Sequence, residues 1–355
     1  MTTLSAAMRQ AQAQGLDRLD AQLLLLHALG HASRDRAWLL AHDTDAMSMV
    51  AESRFAPLVA RRAAGEPLAY ITGQREFFGL DLEVSPSVLN PRPDTEILVE
   101  WALAYLPLSP EPPMAVLDLG TGSGAIALAL KAQRPGAQVH AIDQSEAALA
   151  VARRNATRLG LDIRLSQGNW LDGSSERYHL IVANPPYVAD ADPHLPALAH
   201  EPLQALTAGA EGLDDLRAII ASAPAHLHPG GRLLLEHGHD QATRVRHSAR
   251  ASGLRVASTP SSSSLAPSGS SLVMALVMPL AMLPGIVVSS TVAGRTRRGK
   301  LPTDRTGFCT GSSGAASSPR VSPSRASCGA IGRSRPISSQ AAIWASSTRG
   351  ERAWV

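Results

Sequence analysis

The stretch from residue 115 to residue 236 alternates short apolar runs with longer amphipathic runs, and this alternation constrains the fold more than any other feature. The short runs predict strands at 115–119, 138–142, 162–166, 180–183 and 231–236. The longer runs predict helices at 125–133, 147–159 and 213–223. Because parallel strands need crossover connections, which are usually helices, the pattern predicts an α/β fold with a doubly wound parallel sheet.

The region before residue 101 has a different periodicity. Within residues 1–75 apolar side chains recur at intervals of three and four, which predicts a small helical N-terminal domain. Tyr70-Ile-Thr-Gly73 and the aromatic run that starts at Phe77 predict strands of a hairpin, and we assign residues 76–100 to a hairpin linker. Pro91 and Pro93 then lead into a helix that we expect to begin near Asp94. The alternating domain occupies 101–255.

Residues 256–355 are rich in Ser, Pro, Gly and Arg and have no steady apolar period. We predict an aberrant low-complexity tail, disordered and without a packed core. One apolar segment, 272–288, contains two prolines and is short for a membrane span, so we do not expect it to cross a membrane.

Charge is divided unevenly along the chain. The net charge is +3, but residues 257–355 hold 11 Lys and Arg against 2 Asp and Glu, whereas the first 256 residues hold 22 against 28. An acidic body argues against direct binding of nucleic acid, which uses clustered Lys and Arg. Both cysteines, Cys309 and Cys328, lie in the tail, and no signal peptide is visible. We therefore expect a cytoplasmic location and no membrane association.

A glycine-rich turn follows the first predicted strand of the sheet. Its residues are Gly120, Thr121, Gly122, Ser123 and Gly124, and they open a helix. Glycines there let a ligand approach the backbone closely. Asp143 ends the next strand, where a carboxylate can accept both hydroxyls of a ribose, and the indole of Trp170 is a suitable wall for an adenine ring. The G-x-G-x-G spacing of the glycines favours S-adenosylmethionine over NAD, and so does Asp118 before them, whose carboxylate would point at a cationic amino-acid moiety. Asp118 could also merely cap the loop.

The sequence Asn184-Pro-Pro-Tyr187 directly follows a predicted strand. An amide or exocyclic amine nitrogen is a poor nucleophile because its lone pair is delocalised, so acceptors must hold its N–H groups. The side-chain oxygen of Asn184 and the carbonyl of Pro185 can supply them, Pro186 stiffens the backbone, and the ring of Tyr187 offers a platform. We predict catalytic roles for Asn184, Pro185 and Tyr187.

Two groups of acidic and histidine side chains raise the question of a metal. They are Asp190, Asp192 and His194, and Glu236, His237 and His239. Neither has the His or Cys spacing of a well-defined site, and methyl transfer from a sulfonium needs no metal. We interpret both as solvated loop residues and predict no metal site.

On these motifs the sequence resembles the release factor glutamine methyltransferases, the HemK or PrmC family. The resemblance covers roughly the first 245 residues and includes further segments at 61–73, 77–80, 91–96, 201–206 and 230–238. It implies a class I, Rossmann-like methyltransferase domain and an N-terminal domain that helps to dock class 1 peptide-chain release factors. It also implies methylation of the glutamine of a Gly-Gly-Gln motif at N5, by a protein that we expect to be a monomer.

The resemblance also implies roles for individual residues. Residues 120–124, Asp143, Trp170 and Asn184 would contact the cofactor, residues 184–187 would hold the glutamine amide, and Arg92, with Asp94 and Glu96, would shape the rim of the substrate pocket.

The sequence departs from the family at Asn90, where an apolar residue is usual, and in the tail, where the family closes its sheet with a hairpin. We attribute the tail to a frameshift. Three alternatives stay open: a DNA adenine-N6 methyltransferase, which uses the same four-residue motif; an inactive product that only binds cofactor; and a tail whose arginines bind RNA.

Overall fold

The structure, a computed structural model, describes residues 2–109, 111–257 and 273–279. These residues form an N-terminal helical domain, a two-stranded hairpin and a seven-stranded sheet with helices on both faces. The α/β fold class predicted from the alternating runs is confirmed.

Five helices build the N-terminal domain: α1 (Leu4–Ala13), α2 (Arg18–Leu29), α3 (Arg36–Ala41), α4 (Met49–Ala63) and α5 (Leu68–Thr72). Side chains at three of the helix starts accept a backbone N–H, namely Thr3, Asp17 and Ser48. Such caps satisfy donors that a helix leaves unpaired at its first turn. The helices enclose their own apolar core, in which Leu24, Leu25 and Leu26 are fully buried.

The hairpin consists of β1 (Gln74–Phe77) and β2 (Leu80–Glu83), which pair antiparallel. The prediction of a strand at Tyr70-Ile-Thr-Gly73 is wrong, because Tyr70 to Thr72 belong to α5. Gly73, with φ +71°, ends that helix in the left-handed conformation. The hydroxyl of Tyr70 donates to the carbonyl of Val88 at 2.6 Å, and this contact with a later segment outweighs the local β preference of an aromatic residue.

The large sheet has the strand order β5-β4-β3-β6-β7-β9-β8. Its strands are β3 (Ala115–Leu119), β4 (Gln138–Asp143), β5 (Arg164–Gln167), β6 (Tyr178–Ala183), β7 (Leu227–His237), β8 (Leu254–Ala257) and β9 (Val273–Pro279). Neighbours from β5 to β7 are parallel, and β9 is antiparallel to both β7 and β8. The order reverses between β3 and β6, where ligands of doubly wound sheets bind, at the carboxyl ends of the strands.

Helices cover both faces of this sheet. They are α6 (Thr95–Tyr105), α7 (Ala125–Gln133), α8 (Glu146–Leu159), α9 (Asp214–His226) and α10 (Ala242–Ala251), with 3-10 turns at Leu195–Leu198 and Leu203–Ala205. Successive strand residues face opposite sides, so Val116 packs in the core under α6 and α7, whereas Leu117 packs in the core under α9 and α10. The two apolar layers hold the strand ends, and therefore the loops after them, in fixed positions.

The end of the sheet differs from the sequence prediction. We expected residues 256–355 to form a tail without packed structure, but 273–279 form β9, which pairs with β7 from Leu233 to His237 and with β8 from Leu254 to Ala257. A run of apolar and β-branched residues suits a strand that lies between two others in a sheet. Residues 256 and 257 end β8, and the rest of that predicted tail lies outside the described residues. In the described part of the chain no helix has the length and apolar character needed to cross a membrane.

Candidate active site

A cleft opens at the carboxyl edge of the sheet, where the strand order reverses. It encloses about 940 Å³, a volume that includes space open to solvent. The loops after β3, β4, β5 and β6 form one wall, and the segment before α6 and the second 3-10 turn form the other. Nine of the predicted site residues line it: Arg92, Gly120, Thr121, Gly122, Ser123, Asp143, Trp170, Asn184 and Pro186. Gly124, Pro185 and Tyr187 are not among the residues that line it.

The glycine turn after β3 is held against the next strand. The N–H groups of Gly120 and Thr121 both donate to the carbonyl of Ile142, at 2.9 and 3.0 Å. Gly120 has φ +70°, and a Cβ on it would lie 3.2 Å from the indole of Trp170. The turn therefore requires glycine for its backbone conformation and for close packing. Gly124, predicted to contact the cofactor, lies where α7 begins, and a Cβ on it would lie 3.0 Å from Leu128.

Asp118 caps this turn from inside the protein. Its Oδ2 accepts the hydroxyl of Thr121 at 2.6 Å and the N–H of Ala127 at 3.2 Å, whereas Oδ1 is buried without a hydrogen-bond partner among the described residues. Complete burial raises the pKa of Asp118 to about 7, because the charged form loses its hydration. Of the two roles considered from the sequence, the geometry supports the cap.

Asp143 ends β4 at the cleft with both carboxylate oxygens engaged. Oδ2 accepts the N–H of Gly122 at 2.8 Å, and Oδ1 accepts the N–H of Ser145 at 2.9 Å. Burial raises the pKa of Asp143 above its usual value, although these two hydrogen bonds oppose that shift. Each oxygen retains a further lone pair, so the carboxylate can accept hydroxyl groups from a ligand in the cleft.

Trp170 forms an apolar wall of the cleft next to the glycine turn. Its backbone has φ +50°, a conformation that is strained for a bulky side chain. The indole N–H donates to Oδ1 of Asp215 at 3.1 Å, which fixes the plane of the ring. A flat ring beside a glycine turn and a carboxylate can enclose a nucleoside.

Asn184 stands on the cleft wall after β6 and is joined to a buried polar group that sequence reasoning missed. Its Nδ2 donates to Oγ1 of Thr95 at 3.1 Å, and the hydroxyl of Tyr187 donates to Oε1 of Glu236 at 3.3 Å. Glu236 has no exposed surface, and burial raises its pKa to about 7. Our interpretation of Glu236 and His237 as solvated loop residues is wrong, because both end β7 and both are fully buried.

Asn155 is a second residue that the motifs did not indicate. It lies fully buried on α8, and its side-chain oxygen accepts the N–H of Glu83 at 2.7 Å. Its Nδ2 donates to the carbonyls of Glu83 and Ser123, both at 2.9 Å. One amide thus joins the hairpin to the glycine turn. A single buried Asn in a helical run carries no sequence signal for such a contact.

The rim of the cleft is held by an ion pair between distant segments. The guanidinium of Arg92 donates to Oε1 of Glu201, whose side chain is only 3% exposed and whose Oε2 accepts the N–H of Asn90 at 3.3 Å. Glu96 lies outside the lining, and its Oε1 accepts the N–H of Phe78 in the hairpin turn at 3.0 Å. Asp94 is the residue before α6 and makes no side-chain cap there.

No three His, Cys, Asp or Glu side chains within the described ranges are grouped as metal ligands. Nδ1 of His194 lies 2.8 Å from Oδ1 of Asp192. The side chain of His194 is 87% exposed, so this contact is on the surface. A cleft of this kind, with a glycine cradle, a carboxylate with free lone pairs and an apolar ring, has the groups needed to hold a nucleoside-containing cofactor.

Comparison with known proteins gives a consistent result. Residues 2–73 match the family model "PrmC N-terminal domain", and residues 102–209 match "Methyltransferase small domain". The chain is 49% identical over 257 residues to a protein of Xylella fastidiosa strain Temecula1 named release factor glutamine methyltransferase, covering 71% of this chain and 92% of the relative. It is 51% identical over 245 residues to the protein of that name from Bordetella pertussis, covering 68% and 89%.

A solved structure, a methyltransferase from Pyrococcus furiosus, is 20% identical with a TM-score of 0.44, covering 61% of this chain and 95% of that one. The relatives match at high identity over most of their own length, and the two family models take in the helical domain, the glycine turn and the Asn184 loop. The chain belongs to the release factor glutamine methyltransferase family.

Proposed function

We propose that this protein methylates the N5 atom of the glutamine in the Gly-Gly-Gln motif of class 1 peptide-chain release factors. The methyl donor is S-adenosylmethionine, and the products are N5-methylglutamine and S-adenosylhomocysteine. The observation that carries the proposal is that Asn184 and the glycine turn line one cleft. The relatives of this chain are named release factor glutamine methyltransferases. An acceptor for amide hydrogens therefore lies beside a site suited to a nucleoside.

The proposed cofactor contacts are residues 120–123, Asp143, Trp170 and Asn184. When bound, S-adenosylmethionine supplies an electrophilic methyl group. Asp143 holds ribose hydroxyls by its free lone pairs, and Trp170 excludes water from the adenine side of the cleft. Gly124 supports these cofactor contacts indirectly, because it allows α7 to begin directly after the glycine turn.

The proposed catalytic task is to hold a weak nucleophile. Oδ1 of Asn184 and the carbonyl of Pro185 accept the two N–H groups of the substrate amide, which draws the nitrogen out of conjugation and directs its lone pair at the methyl carbon. The nitrogen forms the new N–C bond as the S–C bond breaks, and one N–H proton leaves to water. Tyr187 supports the loop from behind, because its hydroxyl is bound to Glu236.

Arg92 is the proposed contact for the release factor at the rim. It is partly exposed and is fixed by Glu201, so it can present donors to the backbone of an entering loop. Because release factors act in translation, we propose a cytoplasmic monomer that binds protein rather than nucleic acid. The acidic balance of the first 256 residues supports this proposal, since binding of phosphates requires the opposite charge.

The test is mass spectrometry of a purified class 1 release factor after incubation with the full chain and S-adenosylmethionine. We expect one methyl group on the Gly-Gly-Gln glutamine, and none with Asn184→Ala or with a release factor whose motif ends in alanine. Folding and cofactor binding of Asn184→Ala are checked by circular dichroism and calorimetry. Methylation of adenine in duplex DNA, without methylation of the release factor, would contradict the proposal.

A further inference from the structure

Behind Asn184 lies a polar chain that no part of the catalytic task described above uses. Nδ2 of Asn184 donates to Oγ1 of Thr95, the first residue of α6, which is 4% exposed. Hydrogen bonding by Thr95, Tyr187 and Asn184 favours the charged form of Glu236, and the hydroxyl of Tyr187 donates to its Oε1 at 3.3 Å. The far oxygen of Glu236, Oε2, is buried without a hydrogen-bond partner among the described residues. A carboxyl group is costly in such a place, so its retention calls for a physical reason.

The direction of these hydrogen bonds decides which end of the Asn184 amide faces the cleft. A side-chain amide can turn by half a rotation and exchange its oxygen and nitrogen at little steric cost. A threonine hydroxyl does not prevent this exchange by itself, because it can donate or accept. An ionised carboxylate only accepts. If Glu236 takes the hydrogen of Thr95, then Oγ1 of Thr95 is left as an acceptor for Nδ2 of Asn184.

We propose that ionised Glu236 is a positioning residue that, directly and through Thr95, draws the N–H groups of Asn184 inward, so that Asn184 presents its oxygen to the amide nitrogen of the substrate. This inference rests on the proposed function. A reversed amide would direct two N–H groups at the N–H groups of the substrate and would repel them. The buried carboxyl group thus acts on the geometry of Asn184 and contacts neither substrate nor cofactor.

The surroundings of Glu236 make this arrangement sensitive to pH. The titratable groups that face it are Tyr187, from the loop after β6, and Asp94, at the start of α6, whose charge disfavours ionisation of Glu236. Protonated Glu236 can donate to Thr95, and Thr95 can then donate to Asn184. The oxygen of Asn184 is drawn inward, and activity falls on the acid side of neutrality.

Enzyme kinetics with the full chain test the role. Glu236→Gln keeps the shape of the side chain but adds donors, and Thr95→Val keeps the shape but removes the link. We expect each to lower kcat about 10- to 100-fold, as for other groups that orient a functional side chain, with the KM for the release factor and the Kd for S-adenosylmethionine within about twofold. The double variant should be no slower than the slower single variant, because both remove one chain of contacts. Thr95→Ser, which retains the hydroxyl, should restore most of kcat.

Glu176→Gln is the matched control. Glu176 also accepts a tyrosine hydroxyl, that of Tyr178 at 2.9 Å, but it precedes β6 and so lies at the amino ends of the strands, opposite the cleft. We expect kcat to be unchanged in this variant. A kcat within twofold of wild type in both Glu236→Gln and Thr95→Val would overturn the proposal, and so would full additivity of their effects.

Side-chain ¹⁵N–¹H NMR of Asn184 tests the proposal without any substrate. The two N–H signals, identified by their loss in Asn184→Asp, should shift with pH about a midpoint near 7 in the wild type and should not titrate in Glu236→Gln. If the wild type methylates no release factor but shows this titration, the proposed function fails and the positioning role stands. If the signals do not titrate in the wild type, the positioning role fails. Should Glu236→Gln not fold, Thr95→Val and the wild-type titration decide.

Discussion

The buried carboxyl of Asp118 predicts an unusual dependence of stability on pH. The carboxyl has a pKa of about 7 in the folded protein, against an ordinary value of 3.8. A folded-state pKa above the unfolded one means that folding favours the protonated form. The stability that this group contributes is fully present below pH 3.8 and is lost as pH rises through 7. A difference of about three between the two pKa values corresponds to a loss of about 4 kcal/mol.

Asp118→Asn separates this effect from the rest of the protein. The asparagine oxygen can still accept from Thr121 and Ala127, and its nitrogen occupies the position of Oδ1, which has no partner among the described residues. At pH 4 the two proteins should be similarly stable, because both side chains are then neutral and each buries an unpaired donor group at this position, an O–H in one and an NH2 in the other. At pH 8 the variant should be more stable by about 4 kcal/mol, because asparagine cannot ionise.

The assay is urea unfolding without cofactor, followed by far-UV circular dichroism at intervals between pH 4 and pH 8. The quantity of interest is the difference in unfolding free energy between the variant and the wild type, in which titrating groups that do not interact with Asp118, such as Glu236, cancel. The reasoning is refuted if that difference stays constant within about 1 kcal/mol over this range, because even a tenfold change in the acidity of Asp118 on folding would exceed that figure.

Three further predictions concern the cleft and its rim. Asp143→Ala should weaken binding of S-adenosylmethionine about 10- to 100-fold in calorimetry, since it removes charged hydrogen-bond acceptors; unchanged affinity would contradict its assigned role. Gly120→Ala should lower the thermal midpoint more than Gly160→Ala, because both have positive φ but only the former meets a neighbouring ring; equal losses would show that the contact is unimportant. Arg92→Ala should destabilise the protein by about 3 kcal/mol in urea unfolding, because it leaves the buried charge of Glu201 unpaired. Adding Glu201→Gln to that variant should recover part of the loss, and no recovery would count against the explanation.

The sequence was most informative where local chemistry and tertiary structure agree. The strand at 115–119 and the helix at 125–133 were predicted with the bounds that the structure has, because the glycine turn between them marks both ends. It was least informative where a distant segment decides the outcome. Tyr70 suggested a strand from its residue type, but its hydroxyl reaches Val88 from a helix.

The candidate site divides in the same way. The position of Asn184 and Asp143 at the cleft could be predicted, because each lies at the carboxyl end of a strand, the edge where ligands bind. The burial of Glu236 could not be inferred, because its contacts come from α6 and from the loop after β6, and neighbouring histidines gave the segment a polar character. Its one local signal was its position at the end of a continuous apolar run.

The position of β9 bears on the order in which the chain can be assembled during synthesis. β7 and β8 leave the ribosome first, yet neither pairs directly with the other, and the strand that lies between them, Val273–Pro279, is made last. A nascent chain therefore passes through a stage in which the parallel part of the sheet and the cleft loops can form while one edge of β7 lacks its neighbour. Exposed strand edges recruit other chains, so this interval is the point at which a chaperone would protect the product most.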